Sequence, residues 1–162
     1  MPAPQLSSTF RIVTVWLVLG TLLFVAVQAW MGHQDRTRFV VSDGVITLER
    51  GRDGHYRWPG RLAGVPVDFL VDTGATHTAI PAALAQRAQV ATRGSYRSET
   101  AGGSVIGTMG IADVELDGGV RALRLRVGVL PDLKTPLLGM DVLSKLTITQ
   151  EGQRMRITTA PR

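Results

Sequence analysis

The segment "VDFLVDTGATHTAI", Val67 to Ile80, decides how the chain is read. Phe69, Leu70 and Val71 are apolar and lead one carboxylate, Asp72, into Thr73, Gly74 and Ala75. Thr78, Ala79 and Ile80 then resume β character. The acid stands where a strand gives way to a tight loop. Two readings follow. Asp72 can be a turn residue whose carboxylate accepts from nearby backbone N–H groups, with Gly74 supplying a conformation that other residues avoid. Or it can be chemical, an acid carried by an apolar strand for acid–base work.

The totals bound the choice. A chain of 162 residues has room for one domain of ordinary size and an appendage. With 44% hydrophobic and 19% charged residues, disorder as a whole-chain property is excluded. Cysteine is absent, which removes disulfides, cysteine nucleophiles and thiolate metal sites, and leaves the redox compartment open. The net charge is +5. The basic residues are mostly Arg, scattered from Arg36 to Arg162 without long runs or alternation with aromatics. That favours a solvated basic surface over a nucleic-acid face, and no nucleic-acid partner is expected. Attraction to anionic lipid headgroups is a third reading.

Upstream, "IVTVWLVLGTLLFVAVQAWM", Ile12 to Met31, carries no charge. At ~1.5 Å per residue a helix of this run covers about 30 Å, the thickness of a bilayer's hydrocarbon core. Trp16 and Trp30 lie towards its ends, where indoles favour the interface. A signal peptide would have a shorter apolar region closing on small residues, whereas "AVQAWMGHQ" is bulky there, although "AVQA" is a weak small-x-small site. A buried soluble helix would show a polar face. An uncleaved transmembrane anchor is expected. Arg11 on one flank and Arg36 and Arg38, offset by Asp35, on the other do not fix its orientation.

The remainder reads as one β-rich domain. "RFVVSDGVITLER" suggests a hairpin about Ser42-Asp43-Gly44, and "HYRWPGRLAGVPVDFLV" adds strand pieces with Gly and Pro punctuation. "PAALAQRA", Pro81 to Ala88, is a short helix with Pro at its first turn. "GTMGIADVELDGGVRALRLRVGVL" gives two long strands joined at Asp117–Gly119. "GMDVLSKL" is a second short helix, and "TITQEGQRMRITT" a hairpin about Glu151-Gly152. Few helices and closely spaced turns indicate a small all-β barrel or sandwich-like domain. The expected organisation is a tail over 1–11, a transmembrane helix over 12–31, a linker and N-terminal hairpin over 32–54, and the folded core over 55–158. The end, "TAPR", is expected to fray.

With its context, Asp72-Thr73-Gly74-Ala75 resembles the active-site loop of aspartic proteases, in particular the retroviral-type, retropepsin-like group. "TPLLGMDVL", Thr135 to Leu143, is similar to that group's second signature, two apolar residues and a Gly before the C-terminal helix, here Leu137, Leu138 and Gly139. "ETAGGSVIGTM", Glu99 to Met109, has the small-residue character of the family's flap hairpin, with Ala101, Gly102 and Gly103 as its flap residues. The resemblance covers roughly 55 to 148. It implies a single retropepsin-like lobe, closed and barrel-like, with one or two short helices. With the anchor, the chain resembles bacterial membrane-tethered members. Those imply a single-pass inner-membrane protein whose soluble domain lies on the periplasmic or extracytoplasmic side.

Peptide hydrolysis without a metal, cofactor or covalent nucleophile needs an activated water and a proton for the carbonyl oxygen. Two carboxyls ~3 Å apart supply both, because they cannot both ionise and so share a proton. No second apolar-Asp-Thr/Ser-Gly occurs. Asp43, Asp53 and Asp117 read as turns, and Asp141 opens a helix, where the helix dipole favours a carboxylate. The chain is also too short for two lobes. The second acid must be Asp72 of another copy, which implies a C2 homodimer acting on a peptide or protein substrate.

By the resemblance, Thr73 places its hydroxyl on the opposite loop, Gly74 lets the backbone pass and its N–H hold the carboxylate, and Ala75 keeps the cleft floor small. Gly102 and Gly103 let the flap bend, and Gly139 permits close packing behind the loop or simply starts a helix. Thr76 and His77 stand where viral relatives place an acid that binds substrate backbone. His77 either tunes the pH response or is a partly exposed strand residue. The competing function is a catalytically silent module that binds peptides or proteins on the same fold.

Overall fold

The structure is a computed structural model that describes the backbone of residues 8–34, 39–42, 44–100 and 103–159. The chain divides into two compact units, Met1–Arg36 and Thr37–Arg162. The first is built on helix α1, Ser8–Gln34. Along it, every described side chain from Ile12 to Val27 is exposed, Trp16 at 70% and Leu17 and Leu23 at 67%. Thr14 and Thr21 turn their hydroxyls back onto the carbonyls of Phe10 and Leu17, both at 2.9 Å. Among the described residues no helix is long and apolar enough to cross a membrane.

In the second unit, β1 (Phe39–Ser42) and β2 (Val45–Glu49) form the first hairpin, whose Asp43 lies outside the described residues. Then come β3 (Arg57–Leu62), β4 (Val65–Val71), β5 (Ala79–Pro81) and helix α2 (Ala82–Arg87). β6 (Thr92–Thr100), β7 (Gly103–Leu116) and β8 (Val120–Leu130) are the long strands. The chain closes with β9 (Leu137–Leu138), helix α3 (Met140–Leu143), β10 (Leu146–Glu151) and β11 (Arg154–Thr159). Both short helices form, the second over only Met140–Leu143 of the expected 139–146 because Leu146 already belongs to β10, and strands pair about the expected turns at Asp117–Gly119 and Glu151-Gly152. The tail 160–162 lies outside the described residues.

Seven strands run in the order β3-β4-β9-β5-β8-β7-β6, and β3 also pairs with β7, so the sheet closes on itself with β6 outside the ring. The remaining strands form a four-stranded sheet, β1-β2-β11-β10. Here β2, drawn from the 32–54 segment, pairs with β11 over Val45–Glu49 and Arg154–Thr158. The N- and C-terminal hairpins thus share one sheet. The alternation of β2, with Ile46 and Leu48 turned inward, delivers these two into the same core as Trp58, Phe69, Val114, Leu138 and Ile157. Trp58 is fully buried and its indole N–H finds the Asp117 carbonyl at 2.8 Å, which satisfies the one polar atom it takes inside.

Close approaches that depend on glycine include two in the barrel wall. A Cβ on Gly60 would lie 2.3 Å from the Glu115 carbonyl, where β3 crosses to β7 and closes the ring. A Cβ on Gly128 would lie 2.6 Å from the ring of Tyr96, which lies over β8.

Candidate active site

β9 is only two residues long, yet it fixes the site. It lies between β4 and β5, parallel to the first (Leu70 opposite Leu137, Val71 opposite Leu138) and antiparallel to the second (Ala79 opposite Leu137). The loop carrying Asp72 leaves β4 and re-enters β5, so the second signature lies directly against the first. Five backbone links bind the loop there or close it. Asp72 N–H donates to the Leu138 carbonyl at 3.1 Å, and Ala75 N–H to the Asp72 carbonyl at 3.2 Å. Met140 N–H donates to the Ala75 carbonyl at 2.8 Å, and Asp141 N–H to the Thr76 carbonyl at 3.1 Å. Below the loop, Gly128 N–H donates to the Thr78 carbonyl at 2.9 Å.

Asp72 is half-buried, and its Oδ1 accepts from Gly74 N–H at 2.9 Å. Gly74 thus holds the carboxylate, but not through an unusual backbone angle, because it is absent from the glycines of positive φ. What the position requires is room: a Cβ there would lie 3.2 Å from Asp72 Oδ1. Thr73 is exposed and its hydroxyl has no partner within the chain among the described residues. Ala75 is half-buried and Thr76 exposed. His77 is exposed and sits in a bend rather than a strand, its ring edge-on to Tyr96 with centroids 6.4 Å apart.

Gly139 both caps the start of α3 and packs closely behind the loop. Its backbone is extended, and a Cβ would meet the His77 carbonyl carbon at 2.5 Å, its oxygen at 2.7 Å and Thr78 N at 2.8 Å. Leu138 is fully buried and Leu137 half-buried, as the paired strand requires. The flap segment is a hairpin of β6 and β7 in register from Thr92–Gly110 to Thr100–Gly103, with a shift between Arg93 and Ser95. Gly103 has φ +110, a conformation suited to glycine at such a tip. Ala101 and Gly102 lie outside the described residues.

Two residues do work that sequence reasoning did not assign. Thr78, fully buried, donates its N–H to Asp141 Oδ2 at 2.9 Å and its hydroxyl to Asp141 Oδ1 at 2.8 Å, and accepts from Gly139 N–H at 3.2 Å. The carboxylate of Asp141 is therefore a clasp between loop and helix, beyond its place in the first turn of α3. The available signal was a threonine inside an otherwise apolar entry to β5, since a buried hydroxyl needs a partner.

Surface clefts of about 520 and 500 Å³ lie on the domain, and Asp72 lines neither of them. Among the described residues no cluster of His, Asp and Glu could hold a metal ion.

A closed β-lobe with an Asp-Thr-Gly loop pinned against an apolar-apolar-Gly strand defines an aspartic peptidase lobe. The family described as "gag-polyprotein putative aspartyl protease" matches residues 58–145. Among solved structures, a retropepsin-like aspartic protease from Rickettsia conorii is similar in fold, with 24% identity over 75% of this chain and 92% of that one and a TM-score of 0.57. The EIAV protease complexed with the inhibitor HBY-793 aligns with 19% identity over 65% of this chain and 92% of that one, TM-score 0.47. No curated protein matches the sequence. The chain belongs to the gag-polyprotein aspartyl protease family and is an aspartic endopeptidase of retropepsin-like fold.

Proposed function

We propose that the protein hydrolyses peptide bonds as a membrane-anchored C2 homodimer, with one Asp72 from each subunit flanking the attacking water. The observation that carries this is the incompleteness of the single chain. Asp72 Oδ1 rests on Gly74, and among the described residues no second carboxyl is hydrogen-bonded to it. Thr73, exposed beside it with a free hydroxyl, has a partner to find on the opposite loop. The paired carboxyls share one proton. The ionised member takes a proton from water, and the protonated member donates to the substrate carbonyl as the tetrahedral intermediate forms. These states belong to the pair and not to either residue. The β6–β7 hairpin is the element that would close over the peptide and exclude bulk water.

The anchor rests on the uncharged run Ile12–Met31. The exposed apolar surface of α1 and the inward-turned hydroxyls of Thr14 and Thr21 suit an apolar medium, where such groups must be satisfied within the helix. Tethering two weakly associating lobes in a plane raises their effective concentration without new contacts. A domain on the outer side of the membrane is the side this reading adopts, and protease accessibility in spheroplasts tests it.

Mixing tests the shared site. Full-length parent and Asp72→Asn chains are co-reconstituted in varied ratio and cleavage of a quenched peptide library is followed. Activity should fall as the square of the parent fraction. A linear fall would mean that one chain holds a complete site, and undiminished cleavage by Asp72→Asn alone would remove Asp72 from the chemistry.

A further inference from the structure

We propose that the cleft along β8 is a secondary binding site for an acidic, extended stretch of the polypeptide substrate, outside the scissile segment. This rests on the protease reading above and deepens it. The cleft, about 520 Å³, is lined by His77, Met109, Asp141, Lys145 and residues 121–126 of β8. Its cations are Arg121, Arg124, Arg126 and Lys145, all exposed.

Among the described residues little neutralises them. Glu115 approaches Arg121 only to 3.8 Å, with both side chains largely in solvent. Asp113 is turned to the backbone N–H of Arg124 at 2.6 Å. Asp141, the acid in the cleft wall, has both oxygens engaged by Thr78. Arg126 and Lys145 have no ion-pair partner among the described residues.

The spacing points to a peptide. Arg121 to Arg126 spans about 16 Å of strand, the length of five or six residues of extended chain. Between the cations lie Ala122, Leu123 and Leu125, with Leu123 67% exposed, so basic and apolar contacts interleave. Guanidinium groups match carboxylates with two parallel hydrogen bonds. A single strand of nucleic acid would want a stacking platform, and among the described residues no Trp, Tyr or Phe lines the cleft. A lipid surface is flat where this site is concave. His77, five positions beyond Asp72 on the same loop, marks the end from which a bound chain continues towards the catalytic loop.

The test uses the full-length chain in phosphatidylcholine nanodiscs. In the binding arm, the Asp72→Asn chain is titrated with a fluorescein-labelled octapeptide alternating Glu and Leu, and with its Gln-for-Glu counterpart. The Glu peptide should bind at least about tenfold tighter at low salt, a difference of ~1.4 kcal/mol that shrinks in 0.5 M salt. The triple variant Arg121→Gln, Arg126→Gln, Lys145→Gln should abolish the preference. A preference that survives the triple change, equal binding of both peptides, or displacement of the Glu peptide by phosphatidylserine vesicles but not by unlabelled Glu peptide overturns the proposal.

In the kinetic arm, one cleavable sequence carries either an acidic or a Gln flank. The acidic flank should lower KM with kcat unchanged, and the triple variant should erase only that gain. Equal KM for both flanks overturns the cleft's role and leaves the protease standing. Cleavage of neither peptide, with preferential binding intact, sinks the protease reading and leaves the acidic-peptide site standing on the binding arm.

Discussion

Thr78 and Asp141, sixty-three residues apart, hold each other through two hydrogen bonds, N–H to Oδ2 and hydroxyl to Oδ1. One lies at the exit of the catalytic loop and the other in the first turn of α3, so the pair sets where the loop sits relative to the helix behind it. Thr78 is also the acceptor for Gly139 N–H. The clasp therefore ends on the signature glycine.

Asp141→Ala should destabilise the domain by about 2–3 kcal/mol, because a buried hydroxyl and a buried N–H lose a charged acceptor together. Asp141→Asn should cost less, since its amide keeps one carbonyl oxygen but turns a donor towards another donor. Thr78→Ser should recover most of what Thr78→Val loses. Urea midpoints order the four variants, and equal midpoints for Asp141→Ala and the parent would show that the clasp bears no load.

Gly139→Ala and Gly74→Ala should separate stability from activity. At Gly139 the added methyl meets backbone at 2.5 to 2.8 Å, which cannot move without lifting the loop off α3. A loss of 1–3 kcal/mol or more, as for other overpacked positions, should appear as a lowered Tm together with lost activity. At Gly74 the methyl meets only the Asp72 carboxylate, at 3.2 Å. That variant should keep its Tm within about a degree or two of the parent, a surface-like effect, while kcat falls steeply because the carboxylate is pushed from its Gly74 hydrogen bond. A large drop in Tm for Gly74→Ala would mean the glycine serves the fold and not the acid.

What the sequence made legible is local. Asp72-Thr73-Gly74-Ala75, the Leu137-Leu138-Gly139 strand and the hairpins about Asp117–Gly119 and Glu151-Gly152 are each defined within a few residues, by turn chemistry and period-two apolar patterning. What stayed hidden is long-range. Nothing near Val45 announces that β2 pairs with β11 more than a hundred positions away. Asp141 is equally at home in a first helical turn or as an acceptor for Thr78, and only the meeting of β9 with β5 decides. Gly139 was ambiguous for the same reason, since its neighbours in space, His77 and Thr78, belong to a different segment. The incompleteness of Asp72 was legible by count, because no second Asp-Thr-Gly exists in the chain.

Tyr96 ties the flap strand to the catalytic loop. Its ring covers Gly128 on β8 and faces the edge of His77. Removing it in Tyr96→Ala should free β6 while leaving the barrel ring intact, because β6 lies outside that ring. Amide exchange over 92–100 should accelerate selectively, and a small rise in KM should accompany it if the hairpin closes over substrate. Gly128→Ala should mimic the effect by pushing the same ring away. Uniform acceleration across β3, β4 and β8 would instead mean that Tyr96 supports the whole core.

The turn joining β2 to β3 carries a pH-sensitive contact. Asp53 accepts from Arg57 through its side chain and from His55 N–H at 3.2 Å, and its carboxyl is held below the ordinary value of 3.8, chiefly by the Arg57 hydrogen bond. A carboxyl whose folded value is depressed stabilises the fold fully above its unfolded value and loses that contribution as pH falls through the folded one. The pair is open to solvent, so screening limits it to about 0.5 kcal/mol. Asp53→Asn should therefore lower the urea midpoint slightly at pH 6, and by less in 0.5 M salt. As the pH falls through the depressed folded value and the parent carboxyl becomes protonated, the two proteins should converge. A deficit that stays the same from pH 6 down through the acid range would locate the contribution of Asp53 in the shape of the turn and not in its charge.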